Sequence, residues 1–167
     1  EKEEKLLYLE CYSGISGDMT VGALLDLGAS RNVLEETLKS LGVGGYHLHF
    51  GRKLKCGIDA YDFDVHLEEE EHGHGHDHDH DHNHGHDHNH DHTHSHPHIH
   101  RNIQDIFEII DRMHSEEPVK ELARKMFRIV AEAESKAHGI PVEEVHFHEV
   151  GAVDSIVDII SVAVCMY

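Results

Sequence analysis

Val145-His-Phe-His-Glu-Val-Gly-Ala-Val-Asp-Ser-Ile-Val-Asp158 is the stretch from which both the fold and the chemistry of this chain are inferred. Its first part alternates, and His146 and His148 are two residues apart, so in an extended segment their side chains point the same way. Gly151 permits a sharp turn, and a helical pattern begins at Val153. The stretch therefore predicts an extended segment that turns directly into a buried helix.

The same stretch carries side chains that bind divalent ions. Asp154 and Asp158 stand at i and i+4, on one face of the predicted helix. Asp158 lies within an apolar run, where a carboxylate is costly unless it is paired or binds a cation. Imidazole and carboxylate groups together suit nickel, zinc or manganese. We predict a metal site here, with catalytic roles for His148 and Asp154. The alternative is a capping Asp and a few satisfied polar residues beside a buried helix. The predicted metal ligands are His146, His148, Glu149, Asp154 and Asp158.

The composition divides the chain into one domain and one insertion. Residues 68–100 contain no Lys or Arg and almost nothing apolar, whereas residues 1–67 and 101–167 suffice together for a single modest domain. The last helix, from Ile156 to Tyr167, stays apolar without a Gly, Pro or basic C-cap. We therefore expect this chain to be the N-terminal part of a longer protein, which a C-terminal half or a partner chain completes.

The charge and the cysteines exclude several classes of protein. The formal net charge is -19, and residues 68–100 supply nine of the acidic groups. Nucleic acid is excluded as a partner because phosphate contacts need clustered Lys and Arg. Cys11, Cys56 and Cys165 are widely spaced and odd in number, which indicates reduced thiols in a cytoplasmic protein. No apolar run reaches membrane-spanning length, and the N-terminus does not resemble a signal peptide.

A histidine tract dominates the insertion, because every second residue between positions 72 and 100 is His. Nothing in it can be buried, so we expect disorder in the absence of metal. Neutral imidazoles favour Ni²⁺, Cu²⁺ and Zn²⁺, and redundant ligand sets favour several exchangeable ions, as in a metal reservoir. The alternative is a solvating spacer. The predicted ligands are His72, His74, His76, His78, His80, His82, His84, His86, His88, His90, His92, His94, His96, His98 and His100.

A Gly/Ser loop near the N-terminus is a second candidate site. We predict a strand over Leu6–Cys11 and a helix over Met19–Leu27, and the loop between them leaves backbone N–H groups free at a helix N-terminus, where an anion is favoured. No G-K-[ST] sequence is present, so this is not a Walker A loop. A tight turn with an Asp N-cap is the alternative. The predicted phosphate-binding residues are Ser13, Gly14, Ser16, Gly17 and Asp18, and Asp18 is also a candidate catalytic residue.

The remaining elements complete a mixed α/β fold. Ser30 caps a predicted helix over Arg31–Leu41. Strands over Tyr46–Phe50 and Ile58–Leu67 are predicted to form a hairpin, so the sheet is at least partly antiparallel. Further helical patterns run from Ile103 to Met113, from Pro118 to Gly139 and from Val153 onward. The prediction is a small, partly antiparallel sheet packed with about five helices.

Two features of the predicted hairpin bear on binding. Arg52 lies in the densest basic cluster of the chain and is a candidate phosphate contact, with solvated surface as the alternative. His47 and His49 alternate with apolar residues and are expected to face solvent.

Two long motifs flank the His-rich insertion: Glu10-Cys-Tyr-Ser-Gly-Ile-Ser-Gly-Asp-Met19 and Glu144-Val-His-Phe-His-Glu-Val-Gly-Ala-Val-Asp-Ser-Ile-Val-Asp-Ile159. With the insertion, they resemble the N-terminal part of LarC-type nickel insertases, from about Leu6 to the end of the chain. The resemblance implies nickel insertion into pyridinium-3,5-bisthiocarboxylic acid mononucleotide, with one Ni–C and two Ni–S bonds formed. The product is the nickel-pincer nucleotide cofactor of lactate racemase.

The resemblance also implies cofactors and partners. The family depends on CTP, which is hydrolysed, and on Mg²⁺ or Mn²⁺, so this chain is expected to be the metal-handling part of a CTP-dependent nickel insertase of the lyase class. The expected partners are the bisthiocarboxylate mononucleotide, the C-terminal half, the apo racemase and further copies of the chain. Alternatives are a non-catalytic nickel metallochaperone or store and a metal-dependent phosphohydrolase. A nickel-delivery GTPase is disfavoured by the missing Walker A loop.

Overall fold

The computed structural model describes residues 6–68, 101–147 and 152–167. The predictions for the tract from His72 to His100 and for His148 and Glu149 lie outside the described residues. The described part contains five helices and two two-stranded antiparallel sheets, which confirms the predicted fold class. The elements are α1 (Gly17–Asp26), α2 (Arg31–Lys39), β1 (Tyr46–Lys55), β2 (Ile58–Leu67), β3 (Arg101–Asn102), α3 (Ile103–Arg112), α4 (Glu117–His138), β4 (His146–Phe147) and α5 (Val153–Met166).

The predicted hairpin is confirmed, with a longer first strand than expected. β1 and β2 pair antiparallel from Tyr46 opposite Leu67 to Lys55 opposite Ile58. The turn is therefore only Cys56-Gly57, and both residues have positive φ, 53° and 80°. A two-residue turn of this kind matches the twist of the strands. The segment from Gly51 to Lys55, which lies between the two predicted strands, belongs to β1.

The predicted strand over Leu6–Cys11 is wrong. Those residues form no strand, and the side chains of Leu6, Tyr8 and Leu9 are exposed. A strand needs a neighbour to accept its backbone hydrogen bonds, and no described strand lies beside this segment. The apolar run predicted a buried strand, but these residues are exposed, and the described sheets are two-stranded and formed by other segments.

The helix after the Gly/Ser loop starts earlier than predicted. α1 begins at Gly17 with Ser16 as its N-cap residue, so Asp18 lies in the first turn and is not the cap. The next helix follows the prediction closely, because the Ser30 hydroxyl accepts a hydrogen bond from the Val33 N–H as an N-cap.

Helix α5 occupies the centre of the core. It packs against α1, α2, α4 and β2. Seven of its residues are buried, Ile156, Val157, Ile160, Ser161, Val162, Ala163 and Val164. A helix that is apolar on most sides must be covered on most sides, which explains why the other elements gather around it. No helix in the described part of the chain is long and apolar enough to cross a membrane.

The short β3–β4 sheet fixes the approach to α5. Arg101 pairs with Phe147, and Asn102 pairs with His146. Phe147 is buried while His146 is exposed, as expected for consecutive residues in an extended segment. The Asn102 side chain and Asp105 then form a capping box that starts α3. The residues that follow the insertion are thus tied to the segment that leads into α5.

The packing of α1 on the hairpin yields a prediction. Gly22 is buried, and a Cβ at this position would lie 2.8 Å from the Tyr61 carbonyl oxygen, which belongs to the backbone and cannot move alone. Gly22→Ala should therefore lower the free energy of unfolding by about 1–3 kcal/mol through overpacking. Thermal or urea denaturation measures this change. Gly44→Ala is the matched control, because a Cβ at Gly44 meets nothing within 4 Å; equal stability of the two variants would contradict the close approach of α1 to β2.

Candidate functional site

A polar stripe runs along the otherwise apolar helix α5. Asp154, Asp158 and Ser161 are spaced at i, i+4 and i+7, so they lie on one face of the helix. The Oδ1 atoms of both carboxylates and the Ser161 hydroxyl are buried and have no hydrogen-bond partner. Ser161 is completely buried. Buried polar atoms are normally paired, so these three atoms mark a place where a partner is expected.

The N-terminus of α1 lies against this stripe. A Cβ at Gly17 would lie 2.6 Å from both Cβ and Oδ2 of Asp158, so only glycine permits this approach. The backbone of Asp18 donates a hydrogen bond to the Asp158 carboxylate. A carboxylate is favoured at this end of a helix, where free N–H groups and the helix dipole are positive. Asp158 thus joins the first turn of α1 to the middle of the core.

Burial and the neighbouring carboxylates both disfavour the ionised form of Asp158. Burial, then the charges of Asp18 and Asp154, raise the pKa of Asp158 from 3.8 to about 6. The hydrogen bond from the Asp18 backbone acts in the opposite direction, and Asp64 on β2 adds a further, smaller rise. A cation beside these carboxylates would stabilise their ionised forms and lower this pKa.

The cluster offers oxygen ligands for a hard divalent cation. Mg²⁺ and Mn²⁺ prefer carboxylate oxygen atoms, and Mg²⁺ often uses only one or two of them together with water and phosphate. The unpartnered oxygen atoms of Asp154 and Asp158 fit such an ion, and Asp18 is the neighbouring carboxylate. Within residues 6–68, 101–147 and 152–167, no group of three or more His, Cys, Asp or Glu is arranged as a complete metal site. Water, phosphate or residues outside these ranges would have to supply further ligands.

The Gly/Ser loop is placed where it could contact a ligand at the α1 N-terminus. Ser13, Gly14 and Ser16 are exposed. The Gly14 N–H donates to the Cys11 carbonyl at 3.0 Å, and Gly14 has a φ of 79°, so the segment is a true turn. The turn and the phosphate site are not exclusive, because the exposed hydroxyls remain beside the first turn of α1.

Two other predicted site residues lie apart from the cluster. Arg52 donates to Asp26 and to Asp59, each at 2.8 Å. Asp26 ends α1, and the ends of a ten-residue helix are about 15 Å apart, so Arg52 is remote from the Ser13–Asp18 loop. His146 is exposed on β4, and its pairing partner is Asn102. The structure therefore brings together Asp18, Asp154 and Asp158, with Gly17 between them.

The sequence did not point to two residues that bear on this cluster, Ser161 and Asp64. Ser161 is three residues after Asp158, and the i+3 spacing was the available signal. Asp64 was assigned to a strand, and nothing in the sequence indicated that β2 would lie close enough to α5 to influence Asp158.

The raised pKa of Asp158 predicts a pH-dependent stability difference. The folded protein holds a proton on Asp158 up to about pH 6, whereas the unfolded chain loses it near 3.8. Folded wild-type protein therefore loses stability as pH rises through this window, and the loss persists above it. Asp158→Asn has no such loss and can still accept the Asp18 hydrogen bond. With a chelator present, the melting temperature of Asp158→Asn minus that of wild type should increase between pH 4 and pH 6. The variant should still have the higher melting temperature at pH 7.

Asp59→Asn is the matched control for this measurement. Asp59 is an exposed carboxylate that pairs with Arg52, so its replacement should not stabilise the protein at pH 7. A difference between Asp158→Asn and wild type that stays constant or shrinks with rising pH would contradict the crowding of carboxylates around Asp158.

Comparison with known proteins identifies the family. The sequence profile described as "Nickel insertion protein" matches residues 7–167. A pyridinium-3,5-bisthiocarboxylic acid mononucleotide nickel insertion protein of Alkaliphilus metalliredigens is 59% identical over 160 residues, covering 96% of this chain and 36% of the relative. The protein of the same name from Geobacillus kaustophilus is 48% identical, covering 97% and 35%.

A third relative extends the same comparison. The Geobacter metallireducens protein named "Putative nickel insertion protein" is 40% identical over 164 residues. The match covers 97% of this chain and 35% of the length of that relative. No solved structure matches the chain. The chain spans about a third of the length of these relatives. The profile match over nearly the whole sequence shows that this chain belongs to the nickel insertion protein family.

Proposed function

We propose that this chain is the metal-handling part of an enzyme that inserts nickel into pyridinium-3,5-bisthiocarboxylic acid mononucleotide, in a CTP-dependent reaction. The observation that carries the proposal is the family match, together with relatives that are named for this insertion. The carboxylate cluster of Asp18, Asp154 and Asp158 supports it, because a mononucleotide or CTP brings phosphate that commonly binds together with a divalent cation.

The described residues suggest a division of tasks. The Oδ1 atoms of Asp154 and Asp158 would hold Mg²⁺ or Mn²⁺, and that ion would neutralise phosphate oxygen atoms of the nucleotide. The hydroxyls of Ser13 and Ser16 and the first turn of α1 would orient the same phosphate group. Arg52 is left out of this assignment, because Asp26 and Asp59 already hold its guanidinium.

Nickel is the substrate ion and needs other donors. Imidazoles favour Ni²⁺ over Mg²⁺, whereas carboxylates alone do not discriminate in this way. The fifteen histidines between positions 72 and 100 supply such donors in the sequence. The insertion would therefore collect nickel, while the oxygen cluster would hold the nucleotide and its metal ion. His148 and Glu149, which lie outside the described residues, remain proposed ligands.

A reconstituted reaction tests the proposal. The full-length polypeptide that carries this chain would be incubated with Ni²⁺, Mg²⁺, CTP and the bisthiocarboxylate mononucleotide, and mass spectrometry would detect the metallated product. We expect product only with CTP. Asp158→Asn should lower the rate at least about tenfold, because it removes a charged ligand of the metal ion.

Asp26→Asn is the control, since Asp26 lies at the opposite end of α1 and Arg52 keeps Asp59 as a partner. Its rate should match wild type. Nickel binding without any metallated product would favour the alternative function, a nickel store or metallochaperone. If Asp158→Asn forms product at the wild-type rate, the proposed reaction stands but the carboxylate cluster takes no part in it.

A further inference from the structure

The outward face of the β1–β2 hairpin carries a compact group of histidines and carboxylates. Tyr46, Leu48 and Phe50 point toward the core, so the alternate residues His47 and His49 point away from it. Three of the seven histidines outside the 72–100 tract lie on this outward face. The members of the face are His47 and His49 on β1, and Asp62, Asp64 and His66 on β2.

The strand register holds two of the imidazoles side by side. His47 and His66 are direct cross-strand partners. Their rings are stacked with centroids 5.6 Å apart, and the His49 ring lies 6.1 Å from that of His66. Directly opposed side chains in an antiparallel pair have Cβ atoms about 5 Å apart. This separation allows both imidazoles to turn toward one ion between them.

Carboxylates accompany the imidazoles. The Nε2 atom of His66 lies 3.5 Å from Asp64 Oδ2, and the Nε2 atom of His49 lies 3.7 Å from Asp62 Oδ2. A carboxylate beside a histidine ligand commonly fixes its ring orientation and raises its basicity. Gly51 assists, because a Cβ there would lie 2.9 Å from His49 Nε2, in the space that the ring occupies.

The scaffold beneath these side chains is well defined. Ten residue pairs and a two-residue turn fix the register of the hairpin. Phe63 on the other face is buried in the core, which prevents a slip of the strands, since a one-residue shift would expose it. Sites on regular strands position their ligands better than sites on loops.

We propose that the outward face of the β1–β2 hairpin is a binding site for Ni²⁺ or another late first-row divalent ion, with His47 and His66 as its ligands and His49 as a third donor. Imidazole is the preferred ligand of these ions, and Irving–Williams affinity favours Ni²⁺, Cu²⁺ and Zn²⁺ over Mg²⁺ and Mn²⁺. In the part of the chain that the structure describes, no three of these side chains are arranged to hold one ion. Rotation of exposed side chains, which is fast, would bring them together.

The site has a defined place in the molecule. Asp64, which pairs with His66, lies on β2, and β2 packs against α5, the helix that carries Asp154 and Asp158. His66 precedes the first tract histidine, His72, by only a few residues of sequence. The inference rests on the hairpin geometry and holds whichever reaction the protein catalyses.

A titration of the full chain with Zn²⁺, a diamagnetic ion of the same class, tests the proposal by imidazole ¹⁵N NMR. The signals of His47, His49 and His66 are assigned by single His→Ala variants. We expect ring-nitrogen shifts at His47 and His66 that saturate together. His47→Ala should raise the Zn²⁺ concentration for half-saturation of the His66 signal at least about tenfold, because one ligand is lost.

His138→Ala is the matched control. His138 is an exposed histidine on α4 that pairs with Glu134, and its loss should leave the His66 titration unchanged. The variants should keep the wild-type melting temperature, because the substituted side chains are exposed. The proposal is overturned if His66 does not shift when the tract signals are saturated, or if it titrates identically in His47→Ala.

Discussion

The contact between the Asp158 carboxylate and the first turn of α1 is the interaction on which the arrangement of this molecule depends. Asp158 extends from the most buried helix, and the missing side chain of Gly17 gives it room. The helix N-terminus offsets part of the cost of burying a carboxylate. The offset is incomplete, because the pKa of Asp158 remains raised and one oxygen atom has no partner. A stable fold with an unsatisfied carboxylate at this position is consistent with a site kept for a cation.

This chain carries two kinds of metal ligand. The cluster formed by Asp18, Asp154 and Asp158 is made of oxygen donors, whereas the hairpin face and the tract from His72 to His100 offer imidazoles. Oxygen donors suit Mg²⁺ and Mn²⁺, and imidazoles suit Ni²⁺. The proposed reaction brings nickel and a nucleotide together, so it would need both kinds of ligand. On this account, ligand chemistry directs each ion to its own place.

Much of the fold was predictable because local patterns decide it. The hairpin, the Ser30 cap and the start of α5 at Val153 all follow from alternation, capping and helical periodicity. The strand over Leu6–Cys11 failed because a strand is defined by its neighbour, which an apolar run does not reveal.

Other features of the site were beyond sequence reasoning. Arg52 forms ion pairs with Asp26 on α1 and Asp59 on β2. These pairs could not be predicted without knowing how α1 packs against the hairpin. The proximity of His47 to His66 depends on strand register, and the sequence alone assigned His47 to a solvated surface. Ser161 was hidden in an apolar run, where its small hydroxyl did not interrupt the helical pattern.

The most direct test of the central claim is a crystal structure of the Mn²⁺-soaked protein with anomalous data at the manganese edge. The account predicts an anomalous peak bound by Oδ1 of Asp154 and Oδ1 of Asp158, beside the first turn of α1. A structure with Mn²⁺ bound only elsewhere, and with both oxygen atoms hydrogen-bonded to protein groups, would contradict it.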